Sequence, residues 1–168
     1  MTATVTNTNF RYCLEMNIDL NYLHLLIPNS KLHTKPHQLV VNDDNGVVIF
    51  FSSGKLRLMV CNDDLDATFL VYKYTTLIAP YETPDILLQS MTVKVLFGHC
   101  LNLVQLQKLI TPSILELEIF PALQIRKYKP ISVNIFTTGN VILCGVKKMG
   151  DVDYIINELT PLTNMVKI

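Results

Sequence analysis

The chain has 168 residues, of which 49% are hydrophobic and 17% are charged, and this composition excludes a disordered chain without a core. Its 14 basic and 14 acidic side chains cancel, although nucleic-acid-binding proteins usually carry a basic excess. Binding to a polyanion would therefore depend on how the charges are distributed over the surface, because the net charge supplies no attraction.

The first half of the chain combines strands with two helices. Residues 11–18 are predicted as a strand, and residues 20–27 as a short helix that Pro28 ends. The sequence N-D-D-N-G at 42–46 indicates a tight hairpin between two apolar strands, and another strand follows at 56–61. Asp63 and Asp64 are suited to cap a helix that runs to about residue 78.

The second half has the same order of elements. Residues 86–96 are predicted to be extended, and residues 103–110 to form a helix that Pro112 closes. Strands are predicted at 114–119, 122–128, 131–136 and 141–146, before a helix from 151 to about 159. This order predicts an α+β fold, in which helices cover one face of a curved antiparallel sheet and the other face stays open for binding.

An internal repeat relates the two halves. V-V-I-F-F-S-S-G-K at 47–55 corresponds to S-V-N-I-F-T-T-G-N at 132–140, with an apolar strand, two hydroxyl residues and a glycine in each copy. The offset between the two copies is close to half the length of the chain. We therefore predict two tandem, pseudo-symmetric repeats, at residues 1–84 and 85–168, that together form one domain.

Motifs of catalysis, metal binding and membrane insertion are missing from the sequence. It contains no P-loop, dinucleotide fingerprint, H-E-x-x-H or G-x-S-x-G, and its four cysteines lack the paired spacing of a zinc site. The apolar runs are too short to span a bilayer, and the polar residues 1–10 do not resemble a signal peptide. We expect an intracellular protein that is not an enzyme, with no cofactor and no membrane partner.

The sequence E-L-E-I-F-P-A-L at 116–123, followed by Arg126 and by K-P at 129–130, resembles the second repeat of the TATA-box-binding-protein family. The match continues with I-F-T-T-G-N at 135–140 and L-C-G-V-K at 143–147, and F-S-S-G-K at 51–55 fits the same motif in the first repeat. The resemblance implies a saddle with helices on the convex face. It also implies a transcription initiation factor, located in the nucleus or another compartment where transcription takes place.

In that family, the concave sheet face lies on the minor groove of AT-rich promoter DNA, and phenylalanines wedge between base steps and bend the duplex. This mechanism comes from the family and not from the residues themselves. Carried over by position, Phe120 and Phe136 form the wedge pair of the second repeat, and Phe51 is one member of the first pair. Its partner position is occupied by His37, or by Gln38 if the alignment shifts by one residue.

The resemblance also implies further contacts with DNA. Contacts in the groove are expected from Asn9, Met59, Ser90, Ser132, Asn134 and Cys144. Contacts with phosphates are expected from Lys55, Arg57, Arg126, Lys127, Lys129 and Lys147. Ser132 and Asn134 share a strand face with Phe136 where the family has apolar residues, so the preference for TATA sequences is open.

Partners follow from the same resemblance. Glu116 and Glu118 stand where the family contacts transcription factor IIB, which predicts a IIB-like partner and the RNA polymerase machinery. A second hypothesis is a protein-interaction scaffold of a transcription complex with little DNA binding of its own, which the zero net charge and His37 favour. Whether the chain forms a homodimer through its open sheet without DNA is not decided by the sequence.

Overall fold

The computed structural model describes residues 3–61, 64–79 and 86–168. Their strands are β1 (Ala3–Cys13), β2 (Lys31–Thr34), β3 (His37–Asp43), β4 (Gly46–Phe51), β5 (Lys55–Cys61), β6 (Leu87–Leu96), β7 (Ser113–Ile114), β8 (Ala122–Ile125), β9 (Ser132–Phe136) and β10 (Asn140–Val146). The helices are α1 (Leu20–Leu26), α2 (Asp64–Thr75), α3 (Leu103–Leu109) and α4 (Met149–Met165). Asp63, predicted to cap α2, lies outside the described residues.

The chain forms two compact units. The N-terminal unit is Asn7–Gln89, and the C-terminal unit consists of Ser90–Ile168 together with the first residues of the chain, up to Thr6. The strand order is β2-β3-β4-β5-β1 in the first unit and β6-β10-β9-β8-β7 in the second, with antiparallel pairing in the described ladders. Each unit thus has its longest-range strand pairing between its first and its last strand.

The two units have matching hydrogen bonds. Asp19 caps α1 through Asn21 N and Tyr22 N, and Asn102 caps α3 through Gln105 N. In the N-terminal unit, Leu14 N donates to Gly54 O at 2.9 Å; in the C-terminal unit, Phe97 N donates to Gly139 O at 3.0 Å. In both units the turn after the Phe-ending strand therefore anchors the segment that leads into the first helix.

Each unit has its own hydrophobic core between its sheet and its two helices. Alternate strand residues such as Leu39, Val48 and Phe50 are buried against α1 and α2 in the N-terminal unit. In the C-terminal unit, Val133 and Leu143 are among the strand residues buried with α3 and α4. Burial of every second residue is what a sheet with helices on one face requires.

Three predicted elements differ most from the structure in their bounds. The first strand is Ala3–Cys13 rather than 11–18, because the segment after Cys13 bonds to the turn at 52–54 and leaves the ladder. The predicted strand 114–119 is mostly a loop, since the carbonyl of Glu116 accepts the backbone N–H groups of Ile119 and Phe120. The last helix continues through Pro161 to Met165, where burial of Leu159 and Thr163 outweighs the helix-breaking tendency of proline.

The α+β architecture itself agrees with the sequence prediction. Each unit has a strand, a helix, antiparallel strands and a second helix, in the predicted order. Within the described ranges, no helix is both long and apolar enough to cross a membrane.

Candidate nucleic-acid interface

The strand residues that point away from the helices form one face of the N-terminal unit. They follow from the alternation of each strand and from the cross-strand register, because residues directly opposite each other share a face. We call this set the open face of the N-terminal unit: Asn9, Arg11, Cys13, Lys31, His33, Gln38, Val40, Asn42, Val47, Ile49, Phe51, Lys55, Arg57 and Met59.

The C-terminal unit has a corresponding open face. Its residues are Ser90, Thr92, Lys94, Leu96, Ile114, Ala122, Gln124, Ser132, Asn134, Phe136, Asn140, Ile142 and Cys144. The two open faces thus include eight predicted DNA contacts: Asn9, Lys55, Arg57, Met59, Ser90, Ser132, Asn134 and Cys144. Amide and hydroxyl side chains dominate the centre of the C-terminal face, whereas its N-terminal counterpart is more apolar and more basic.

Phe120 and Phe136 are brought together at one end of the C-terminal open face. Phe136 ends β9, and Phe120 stands two residues before Ala122, the register partner of Phe136. The two rings pack edge to face, with 6.0 Å between their centroids. Both rings are half-buried, and two hydrogen bonds of 2.9 Å to the carbonyl of Glu116 fix the turn that carries Phe120. The two rings therefore support each other and remain partly exposed to solvent.

Of the two residues that the sequence offered as neighbours of Phe51, the strand register selects Gln38. The register partner of Phe51 is Gln38, while His37 pairs with Thr34 and alternates to the face of Leu39. Because a shift of one residue moves a strand side chain to the opposite face, the register favours Gln38 over His37 as the neighbour of Phe51. The position that corresponds to Phe120, two residues before the partner of the phenylalanine, is occupied by exposed Pro36.

Among the charged residues of the described strands, the basic side chains lie on the open faces and the one acid lies on the helix side. The open faces carry five lysines and arginines, which are Arg11, Lys31, Lys55, Arg57 and Lys94, and no acidic side chain from any described strand. Asp43 of β3 points to the helices, where it accepts hydrogen bonds from Lys73 Nζ at 2.5 Å and Tyr74 Oη at 2.6 Å. Burial raises the pKa of Asp43, but these hydrogen bonds outweigh it and hold the pKa below its ordinary value.

Four of the six predicted phosphate contacts are not among the strand residues of the open faces. Lys127 forms an ion pair with Glu158 of α4, and the hydrogen bond from Lys127 lowers the pKa of the Glu158 carboxyl. Lys129 lines a shallow groove with Asp151 and Tyr154 of the same helix. The strand predicted at 122–128 ends at Ile125, and both lysines lie in the turn that follows it, where strand alternation does not apply. The exposed Arg126 and Lys147 lie just beyond the ends of β8 and β10.

Sequence reasoning missed Asn7. The helix caps Asp19 and Asn102 stand at equivalent places in the two repeats, and the same offset relates Asn7 to Ser90. Alternation from Asn9 puts Asn7 on the open side of β1, where its Oδ1 accepts the N–H of Val60 at 3.0 Å. Alignment of the two repeats on these capping residues would have indicated Asn7. The basic residues Arg11, Lys31 and Lys94 were also missed, and strand alternation is the signal that would have indicated them.

The loop at 115–119 presents the predicted partner-binding acids. Glu116 and Glu118 are both exposed, and Leu117 and Ile119 between and beside them are exposed as well. Together with Val104 of α3, these residues line a groove on the C-terminal unit. In the part of the chain that the structure describes, no cluster of histidine, cysteine or carboxylate side chains could hold a metal ion.

Comparison with known proteins is consistent with this architecture. Residues 85–164 match the family model of "Transcription factor TFIID (or TATA-binding protein, TBP)". The structure is similar to that of Methanococcus jannaschii TBP, with a TM-score of 0.84, 22% sequence identity and coverage of 98% of this chain and 99% of that chain. A search of curated protein sequences gives no significant match.

The structural likeness confirms the predicted fold class, α+β of the TATA-binding-protein type, over nearly the whole chain. The family model adds a sequence-based match for the repeat that carries Phe120, Phe136 and the Glu116 loop. Residues 85–164 are thus similar in sequence to the TATA-binding-protein family, and the chain as a whole has the fold of that family.

Proposed function

We propose that the protein binds the minor groove of AT-rich promoter DNA with its open faces, wedges apolar side chains between base steps and bends the duplex. The observation that carries the proposal is the separation of charge, since the open faces have five basic and no acidic strand residues in a chain with zero net charge. Phosphate neutralisation supplies much of the affinity of DNA-binding proteins, and such a face supplies it locally.

The wedges proposed are Phe120 and Phe136 in the C-terminal unit and Phe51 in the N-terminal unit. Pro36 replaces His37 as the fourth candidate, because it corresponds in register to Phe120 and is exposed. Proline and phenylalanine are both among the apolar residues that proteins insert between base steps in the minor groove. Unstacking a step costs a few kcal/mol, which contact with the bent duplex has to offset.

Asn7 supports a preference for A·T pairs. Its Oδ1 is engaged by the N–H of Val60, so its Nδ2 is the group left to donate outward from the open face. In the minor groove, A·T and T·A pairs present only acceptors, whereas a G·C pair adds the amino group of guanine. A fixed donor at this place therefore suits A·T pairs and is blocked by guanine.

The experiment that tests the proposal is binding to a fluorescent AT-rich duplex, with end labels that report bending by energy transfer. If each of the five open-face cations neutralises one phosphate, affinity falls on the order of several hundred-fold between about 50 and 200 mM salt. We expect the ends of the duplex to approach each other on binding. A duplex with G·C pairs at the centre, as the matched control, is expected to bind more weakly. Absence of binding at low salt would favour the protein-interaction scaffold instead.

We further propose that the exposed acids Glu116 and Glu118 bind a IIB-like transcription factor, which brings RNA polymerase to the promoter. The two hydrogen bonds to the Glu116 carbonyl close the turn that carries both exposed acids. Charge reversal in Glu116→Lys/Glu118→Lys is expected to abolish formation of the ternary complex in a gel-shift assay, while binary DNA binding persists. A ternary complex of normal affinity would contradict this partner site.

A further inference from the structure

Arg11 and Arg57 form a directly opposed pair on β1 and β5, at one side of the N-terminal open face. The register of β1 and β5 aligns them, and side chains in that relation have Cβ atoms about 4.5–5.5 Å apart. Both are exposed, and Lys55 follows on the same face two residues before Arg57. Three cations are therefore concentrated on two neighbouring strands.

Among the described residues, no carboxylate balances this pair. Neither guanidinium forms an ion pair with any residue in the ranges 3–61, 64–79 and 86–168. Like charges directly opposite each other destabilise a sheet, so the free protein holds the two guanidiniums against their mutual repulsion. A bound anion between them would remove that cost.

The fold does not impose this arrangement, because the other repeat lacks it. In the C-terminal unit, the register places Lys94 opposite Ile142, at the positions that correspond to Arg11 and Arg57. Beyond Ile142, the same row continues with the amides of Asn134 and Gln124 instead of charges. The cationic pair is thus a specific property of the N-terminal unit.

We propose that Arg11 and Arg57 form a paired phosphate site that holds consecutive backbone phosphates of the duplex. Guanidinium groups match phosphate with two parallel hydrogen bonds, and a polynucleotide offers phosphates at regular spacing to both arginines and to Lys55. The inference rests on the proposed function and assigns a different part of it to each unit. The N-terminal unit holds the DNA backbone by charge, while the C-terminal unit supplies the paired phenylalanine wedge.

The test is the salt dependence of duplex binding by Arg11→Gln/Arg57→Gln. Loss of two phosphate contacts is expected to reduce the slope of log affinity against log salt by about 2, and affinity at 0.1 M salt on the order of 50-fold. Bending by the bound protein is expected to persist. Without DNA, the melting temperature of the variant at low salt should exceed that of the wild-type protein, because the repulsion is gone.

A control with the same change of charge is Lys108→Gln/Lys167→Gln, whose two exposed lysines lie outside both open faces. It is expected to keep the wild-type slope. Normal wild-type binding with equal slopes for both double variants would overturn the inference alone. Wild-type protein that binds no duplex at low salt would contradict the proposed function, and the inference with it.

Discussion

Removal of the Phe136 ring is expected to weaken binding to an AT-rich duplex by about 2 kcal/mol, or roughly 30-fold, and to reduce the bend. The ring is half-buried and packs edge to face on Phe120. Phe136→Ala therefore removes one ring of the pair and leaves the Phe120 ring without its packing partner. Phe120→Ala should have a similar effect. Because the rings touch, the double variant is expected to lose less than the sum of the two single losses.

Equilibrium titration with the doubly labelled duplex measures both effects, and circular dichroism checks that each variant is folded. Phe69→Ala is the matched control, since it removes an exposed phenylalanine from α2, away from the open face. Phe136→Leu should retain part of the bend, because leucine also serves as a wedge. Unchanged affinity in both alanine variants, with the fold intact, would eliminate the wedge mechanism.

Gly139→Ala is expected to destabilise the protein by more than about 3 kcal/mol, a large fraction of the stability of a typical domain. Gly139 has φ +77°, and an added Cβ would lie 2.1 Å from the carbonyl oxygen of His99. The turn cannot move away easily, since Gly139 O accepts the N–H of Phe97. Gly54, its counterpart in the other repeat, would meet Met16 O at 2.2 Å, so Gly54→Ala should be similarly harmful.

Urea unfolding followed by circular dichroism measures these losses, with Gly98→Ala as the control. Gly98 has φ +79°, almost the same as Gly139, but no atom lies within 4 Å of its added Cβ. Its substitution should cost only the backbone strain of about 1–2 kcal/mol. Equal losses for Gly98→Ala and Gly139→Ala would show that the contact with His99 is not rigid.

The repeat made most of the fold predictable from the sequence. The hairpin at 42–46 and the two short helices were correctly placed, because local turn chemistry, caps and prolines determine them. The predicted strand at 114–119 failed for a physical reason. Its L-E-L-E-I pattern alternates as a strand does. However, only the two residues of β7 pair with β8, and Leu117 and Ile119 are exposed instead of packed.

The candidate site was predictable only as far as strand register could be guessed. Phe120 and Phe136 lie in a continuous motif, and the structure brings them together. His37 was placed beside Phe51 because a one-residue ambiguity in the gap could not be resolved without the β3–β4 pairing. Lys127 was taken as a phosphate contact because its partner, Glu158, is 31 residues away on α4 and no local pattern indicates that ion pair.

The segregation of charge also affects how the molecule behaves without DNA. With a sequence pI of about 6.9, the protein carries almost no net charge at neutral pH, and colloidal repulsion between molecules is therefore weak. Five of its 14 cations nevertheless lie on the open faces, where no described strand contributes an acid. In dilute buffer, such a positive face attracts acidic surface on another molecule, and added salt screens that attraction. The protein should therefore dissolve better as ionic strength rises, which is the opposite of what a strongly basic DNA-binding protein kept apart by like charge would do.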